Sequence, residues 1–426
     1  MDRIPSDAAE RLDREQLQAL QLEKLRQLLE PLRRSNPFYR AKLEGAGLEM
    51  PADLAAFGRL PFTSKAELSA DQAAHPPYGT NLTFDAEAYI RIHQTSGTTG
   101  HPLRWLDTEA SWHWWGRCWE AVYRSAGVTA ADRIFFAFSF GPFIGFWSAH
   151  EGARTLGALA VPGGGMSSLQ RLRAILANDI TTLVCTPTYA LHLGEVAAAE
   201  GLDLASSGVR TTIHAGEPGA SLPAVRARIE QAWGARAYDH AGATEVGAWG
   251  FACSHRAGLH INEAEFIAEI IDPETGAPAA EGELVLTNLG RVGMPVLRYR
   301  TGDRVRWLEG DCPCGCRFRR LDGGVIGRLD DALIVRGVNV YPSAIENVIR
   351  TFAEVVEFAV DVRREGALDE IEIRLELTGG PAAEVCRGVA GGVRELLGLR
   401  VSVRAVEKGA LPRFELKARR FTDHRT

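Results

Sequence analysis

The chain has 426 residues, 46% hydrophobic and 24% charged, with 48 basic against 54 acidic residues and a net charge of −6. That balance excludes a protein that holds nucleic acid or anionic lipid by bulk charge, and the length suits one large domain plus a smaller one. No uninterrupted apolar stretch approaches the roughly 20 residues of a bilayer span, and the charged start MDRIPSDAAERLDREQ lacks the apolar core of a secretory signal. The expected location is the cytoplasm, with no nucleic-acid or membrane partner. The seven cysteines are an odd number, and Cys312, Cys314 and Cys316 crowd one short segment, which points to local metal chemistry more than to a disulfide framework.

In chain order, leucines at 12, 17, 20, 22, 25, 28 and 29 predict a helix over 8–34, closed by Pro37. From about 85 to 290, β-rich runs (IRIHQT, RIFFAFSF, TTLVCTP, VRTTIHAG) alternate with Ala-rich helical stretches (LQRLRAILAND, LPAVRARIEQAWG). Strands alternating with helices predict an α/β layered fold with much parallel sheet. FIAEIID, GELVLTNL and DRVRWLEG, separated by turn signals such as DPETG, predict an antiparallel β-rich subdomain. The last hundred residues read strand, helix, strand, strand, helix, strand (ALIVRG, SAIENVIRTF, EVVEFAVDVRR, EIEIRLELT, AEVCRGVAGGVRELLG, RVSVRAVEK), a small α+β module. The predicted boundary falls in Gly327-Arg328-Leu329-Asp330-Asp331, giving a large N-terminal domain over 1–329 and a small C-terminal domain over 330–426.

Thr95-Ser96-Gly97-Thr98-Thr99-Gly100-His101-Pro102 follows the strand-like YIRIHQ. Its glycines permit a tight loop around an anion, and its N–H groups and hydroxyls supply donors for polyphosphate oxygens, although the GK[ST] ending of a Walker loop is absent. Tyr238-Asp239-His240-Ala241-Gly242-Ala243-Thr244-Glu245 sets an acid beside a threonine, suitable for Mg2+ and a phosphate oxygen. Tyr299-Arg300-Thr301-Gly302-Asp303 offers a carboxylate on a turn, a shape that accepts two bonds from a ribose diol. Arg336-Gly337-Val338-Asn339-Val340-Tyr341-Pro342 and Leu411-Pro412-Arg413-Phe414-Glu415-Leu416-Lys417-Ala418-Arg419-Arg420 complete an ordered set.

With these elements in this order the sequence resembles the adenylate-forming superfamily, and within it the phenylacetate–CoA ligase-like branch of aryl-acid–CoA ligases. The resemblance covers nearly the whole chain, including LQLEKLRQLLEPLRRSNPFYRAKLEGAG and LPFTSKAEL. It implies a two-step reaction: a carboxylate attacks the α-phosphate of MgATP to give acyl-AMP and pyrophosphate, and the thiol of CoA then displaces AMP. By the same resemblance Thr95, Ser96, Gly97, Thr98, Thr99 and Gly100 form the phosphate loop, Thr244 touches the α-phosphate, and Glu245 holds Mg2+. Asp303 and Arg328 bind the ribose, Tyr238 or His240 supplies ring stacking, and Asp330 is the hinge of a mobile small domain. Lys417 bridges substrate carboxylate and phosphate, and Gly337 shapes the CoA channel after rotation. The sequence departs from the family at His101, where the loop usually has Lys, at Ala241, where an aromatic is usual, and at Leu416, where Gly is common.

In the run Phe135, Phe136, Phe138, Phe140, Phe143, Phe146 and Trp147, most rings read as core; the resemblance puts Phe140 and Phe143 on the acyl pocket, together with His214, Ala215, His240 and Ala241. Flat aromatic walls suit a planar aryl acid better than a fatty chain. Trp112, Trp115 and Trp119, at spacings of three and four, read as one buried helix face. Cys253, His255 and His260 on one segment and Cys312, Cys314 and Cys316 on another provide two ligand pairs for a structural, four-coordinate Zn2+. The resemblance favours Cys253, His260, Cys312 and Cys314, leaving His255 and Cys316 as spares. Two rival readings stand beside the ligase: acyl transfer to a carrier-protein thiol or an amine, and a zinc-stabilised nucleotide-binding protein without turnover. The oligomeric state is open, and a homodimer is compatible with the sequence.

Overall fold

The N-terminal leucine stripe folds as a helix over Arg14–Ser35, later than the predicted start at 8. The reason is local: Asp13 accepts from the Gln16 N–H while the Gln16 side chain accepts from the Asp13 N–H, a capping box that starts the helix there. Pro37 opens the next helix, Pro37–Gly45, at its first turn, where its missing N–H costs nothing, and Asn36 caps both. The computed structural model describes residues 6–95, 102–217, 219–329, 333–336, 338–365, 368–414 and 420–425.

Strands β1 (Tyr89–Gln94) and β2 (Arg104–Thr108) pair antiparallel, with His93 opposite Trp105. The parallel region comprises β3 (Arg133–Phe136), β4 (Leu159–Pro162), β5 (Thr182–Cys185), β6 (Thr211–His214) and the first half of β7 (Arg236–Ala243), in the order β4-β3-β5-β6-β7. Helices Ile144–Leu156, Ser168–Ala177, Pro187–Ala199 and Pro223–Trp233 occupy the connections, as parallel crossovers require. Side chains alternate across this sheet. Phe136, Val184, Ile213 and Tyr238 face a core with Trp112, Trp115 and Trp119, whereas Phe135, Leu183, Cys185 and Ala237 face a second core with Leu172, Leu193 and Ile229.

Beyond β7 the sheet turns antiparallel through β8 (Gly247–Phe251) and β9 (Leu259–Ile261). It continues with β10 (Phe266–Ile271), β11 (Glu281–Asn288), β12 (Tyr299–Leu308), β13 (Arg320–Leu321) and β14 (Gly327–Arg328), making twelve strands in all. After this come the hairpin β15 (Leu333–Val335) and β16 (Val338–Val340), then β17 (Val355–Glu365), β18 (Leu368–Leu377), β19 (Ser402–Val406) and β20 (Phe421–Asp423). The last four form a separate sheet, order β19-β18-β17-β20, whose core of Ile345, Ile349, Val360, Ile373 and Val389 is independent of the large one. Strand β20 was not anticipated: three residues pair parallel to β17, too short a run to stand out. The two parts meet where Arg304 donates to the Tyr341 hydroxyl at 2.6 Å and Arg420 donates to Thr188 Oγ1 at 3.2 Å. Among the described residues no helix is long and apolar enough to cross a membrane.

Candidate active site

In sheets of this kind ligands bind beyond the carboxyl ends of the parallel strands. At β7 the chain runs straight from the parallel ladder into Ala241–Glu245. Glu245 is buried, its Oε1 lying 3.5 Å from the Tyr299 hydroxyl and 3.8 Å from Lys65 Nζ. Asp303 and Arg328 are opposite one another across β12 and β14, and Arg328 Nη1 donates to Asp303 Oδ1 at 3.1 Å and to Thr301 O at 2.8 Å. Burial raises the Tyr299 hydroxyl well above its ordinary pKa; the charges of Glu245 and Asp303 add to that rise and Arg328 opposes it. One phenol is thus ringed by three of the residues predicted for the nucleotide site. Thr95 is buried at the mouth of the expected phosphate loop, where it exchanges backbone N–H and side-chain hydroxyl contacts with Leu103 at 3.0 Å each. Ser96, Gly97, Thr98, Thr99, Gly100 and His101 lie outside the described residues, as do Asp330, Gly337 and Lys417.

On the face shared by Phe136 and Phe138, Phe140 meets Trp147 at 4.6 Å and Phe138 at 5.0 Å between ring centroids. Gly164 lies close against this face, where a Cβ would stand 2.9 Å from Phe140 Cδ2, whereas a Cβ on Gly163 would stand 2.7 Å from Phe135 Cε1 of the opposite core. Phe143 is exposed at the start of helix Ile144–Leu156. His240 is buried on the same face, 4.2 Å from Trp119, and its Nδ1 lies 2.7 Å from Gly250 O. The carbonyl requires an N–H there, so Nε2 carries the lone pair. Burial lowers this imidazole to about 4 and keeps it neutral. Ala241 and Ala215 are half-buried at the adjoining strand ends.

Two expectations are corrected. His214 was placed in the acyl pocket, but it follows Ile213 and so points to the opposite face of the sheet, where Nε2 meets Thr212 Oγ1 at 2.8 Å and Nδ1 lies 3.3 Å from Cys185 O. It is fully buried and satisfied by the protein. Tyr238 was offered for nucleotide stacking, but its ring is sealed in the core two residues before His240. The residue between them was missed. Asp239 accepts a hydrogen bond from Ser221, and burial pushes its carboxyl up to about 7 from an ordinary 3.8, opposed by Ser221 and Arg226. Its stabilising proton is fully held below the unfolded value and lost as pH rises through about 7. Asp239→Asn is therefore expected to flatten the fall in melting temperature between about pH 5 and about pH 8. Parallel profiles for the two proteins would refute that role.

Lys65 and Arg291 also entered no prediction as site residues. Arg291 Nη1 donates to Thr244 O at 2.7 Å and to Glu245 O at 3.3 Å. The segment carrying Lys417 is held at both ends. Arg413 forks onto Glu376 at 2.6 and 3.0 Å and lies 3.7 Å from Glu195 of the large domain. Arg420 binds Glu357 at 2.6 Å, Glu346 at 3.3 Å and Thr188 at 3.2 Å. Both anchors therefore reach helix Pro187–Ala199, beside the carboxyl end of β5.

At the β-rich end, Cys253, His260, Cys312 and Cys314 place one donor atom each within 4.8 Å of one another. Cys253 Sγ is 3.6 Å from Cys312 Sγ, and Cys314 Sγ is 3.6 Å from His260 Nε2. His260 Nδ1 lies 3.1 Å from Phe318 O, which orients the ring and leaves Nε2 as the ligand atom. His255 is exposed and Cys316 packs in the core, so neither belongs to this set.

Carboxylates and an arginine gathered at the strand ends, and a separate C-terminal sheet whose Arg413 and Arg420 reach the large domain, fit an adenylate-forming enzyme. Residues 337–425 match the family described as the AMP-binding enzyme C-terminal domain. The phenylacetate–coenzyme A ligase of Thermus thermophilus is 35% identical over 87% of this chain and 83% of its own length. That of Escherichia coli K12 is 33% identical over 98% and 97%. Among solved structures, 2-hydroxyisobutyryl-CoA ligase in its postadenylation state, complexed with an acyl-AMP, superimposes with TM-score 0.93 at 30% identity, covering 98% of this chain and 92% of that one. The same ligase in its thioesterification state gives 0.74 at equal identity and coverage, so the arrangement here is nearer the former. The chain belongs to the phenylacetate–coenzyme A ligase family. It is an AMP-forming acid–thiol ligase, which activates an acid with ATP and then forms the CoA thioester.

Proposed function

We propose that the acid is a planar aromatic one whose ring carries a hydrogen-bond donor, and that the work is divided between a domain over 1–329 and a lid over 330–426. The observation that carries the substrate class is the aromatic wall of Phe138, Phe140 and Trp147, on the same sheet face as the neutral Nε2 of His240, for which no partner stands among the described residues. An acceptor fixed in this tautomer favours a hydroxyl or amino substituent and penalises a ring that leaves it unpaired. Ala241, where the family keeps an aromatic, leaves room for such a substituent.

In this reading Thr95 to Gly100 cradle the phosphates, Thr244 contacts the α-phosphate, and Asp303 with Arg328 holds the ribose. Glu245 fits Mg2+: its carboxylate is a hard oxygen donor with only distant partners. The ion would neutralise phosphate charge when bound. The three thiols and one imidazole at the β-rich end fit Zn2+, and a set closed by four protein ligands leaves no position for chemistry. ATP and CoA as substrates favour the cytoplasm as its location.

The test is pyrophosphate release across benzoate, hydroxybenzoates, aminobenzoates, phenylacetate, 2-hydroxyisobutyrate and a long-chain fatty acid, with and without CoA. We expect the hydroxy- or aminobenzoates to lead by about tenfold or more over benzoate, and His240→Phe to erase that margin. Preference for the fatty acid or the small aliphatic acid would sink the aryl reading. Turnover indifferent to CoA but dependent on an amine or a carrier protein would reassign the acceptor.

A further inference from the structure

Arg291 lies outside every recognised motif, yet it and Asp107 form a wholly buried ion pair among the described residues. Both side chains are 0% exposed, and Arg291 Nε and Nη2 each donate to a carboxylate oxygen of Asp107 at 2.7 Å. The guanidinium lies 5.1 Å from the Trp105 ring and 5.3 Å from the Trp115 ring. Burying such a pair returns little net stability, because both charges lose their water, and an apolar pair of the same shape would do as well or better. What an apolar pair could not do is use the third nitrogen. Nη1 points away from Asp107 and donates to the carbonyls of Thr244 and Glu245.

We propose that Arg291 is a positioning residue. It fixes the backbone of Thr244 and Glu245, and so aims the Glu245 carboxylate. Through Asp107 it ties that loop to the β1–β2 ribbon, whose two strands flank the expected phosphate loop. Asp107 pairs with Arg91 across the ribbon, and Trp105, which packs on the guanidinium, pairs with His93. One cation therefore sets the spacing between two segments that must meet the same polyphosphate. The fork geometry matters: a lysine would keep the charge but could not serve both oxygens of Asp107 and two carbonyls from one plane.

The proposal rests on the reading of Glu245 as the magnesium-holding carboxylate, and the experiment separates the two. Purified full-length Arg291→Lys, Asp107→Asn and Glu245→Gln are compared with wild type. The readouts are circular dichroism, the Mg2+ concentration giving half-maximal ATP–pyrophosphate exchange, and thioester formation from supplied acyl-AMP and CoA without Mg2+. We expect folded Arg291→Lys to need about tenfold more Mg2+, Asp107→Asn to shift the same way by less, and the thioester step to change less than about twofold in both. If Arg291→Lys does not fold, Asp107→Asn carries the test alone. An unchanged Mg2+ requirement in the folded variants, or equal losses in both half-reactions, would make the pair merely structural and overturn the proposal. If Glu245→Gln itself leaves the Mg2+ dependence unchanged, the site reading fails and the proposal falls with it.

Discussion

Lys417→Ala is expected to cut acyl-adenylate formation by about a hundredfold or more, the usual consequence of removing a charge contact made in the transition state. The same variant should still convert supplied acyl-AMP and CoA to thioester at a substantial rate. The asymmetry follows from charge. In adenylation a carboxylate approaches the anionic phosphates of ATP, and a fixed cation must hold the two together. In the second step AMP departs, and the thiol needs a path to the acyl carbon that such a cation would obstruct. Arg413 and Arg420, bound to Glu376, Glu357 and Glu346 on one side and to Glu195 and Thr188 on the other, hold the ends of the Lys417 segment against the large domain. This is the arrangement nearer the postadenylation state of the hydroxyisobutyryl ligase than its thioesterification state. On the proposed division into a domain over 1–329 and a lid over 330–426, the second step would require those anchors to release and the lid to rotate about Asp330, presenting the segment around Gly337. Asp330→Pro, which restricts φ at the hinge, should show the opposite pattern, with adenylation kept and thioester formation slowed. Rates of both half-reactions, measured separately on folded protein, decide the matter. Equal loss of both steps in both variants would refute alternation.

The outlines that sequence carried well are those written in local periodicity or spacing. Alternating runs announced the parallel strands, and Trp112, Trp115 and Trp119 fell on one buried face because three- and four-residue steps share a helix side. The cysteine and histidine pairs announced a cluster because ligand spacing is local within each pair. Side assignment within short central strands was illegible. In TTIH all four residues are buried, so no alternation of polarity tells which face His214 takes. Arg291 was illegible for a different reason: it lies 184 residues from Asp107 and 46 from Glu245, in a loop with no repeating pattern, and only chain closure gives it a role. The same holds for Lys65 beside Glu245. The helix start at Arg14 was legible in Asp13-x-x-Gln16, but a leucine stripe continuing back to Leu12 drew the prediction past it.

Cys312→Ser is expected to lose zinc and melting temperature together, whereas Cys316→Ser and His255→Ala should keep the full complement of about one ion per chain. The four donors tie the turn after β8 and strand β9 to the loop between β12 and β13. In that loop, EGDCPCGCRF, only Cys316 and Phe318 among the described residues are buried in the large core, and the rest is polar or small. Besides the four donors the loop is tied by the Arg317 N–H, which donates to Glu10 O at 2.8 Å, by Phe318 packed against Phe251, by β13, two residues long, and by Arg320, which donates to Ala257 O at 2.9 Å and Gly310 O at 2.8 Å. Two-residue pairing and two such bonds contribute about one kcal/mol each, whereas structural zinc in small domains contributes on the order of 10 kcal/mol. Even a fraction of that is large beside a net stability of about 5–15 kcal/mol. Because β9 joins β8 and β13 at the middle of the twelve-stranded sheet, loosening this corner should reach β7 and the Thr244–Glu245 loop that follows it. Chelation should accordingly lower the melting temperature of the whole large domain in one transition. Metal analysis finding no zinc in protein purified without chelators would remove the site. Zinc lost equally from Cys316→Ser and Cys312→Ser would mean that the ligand set is assigned wrongly.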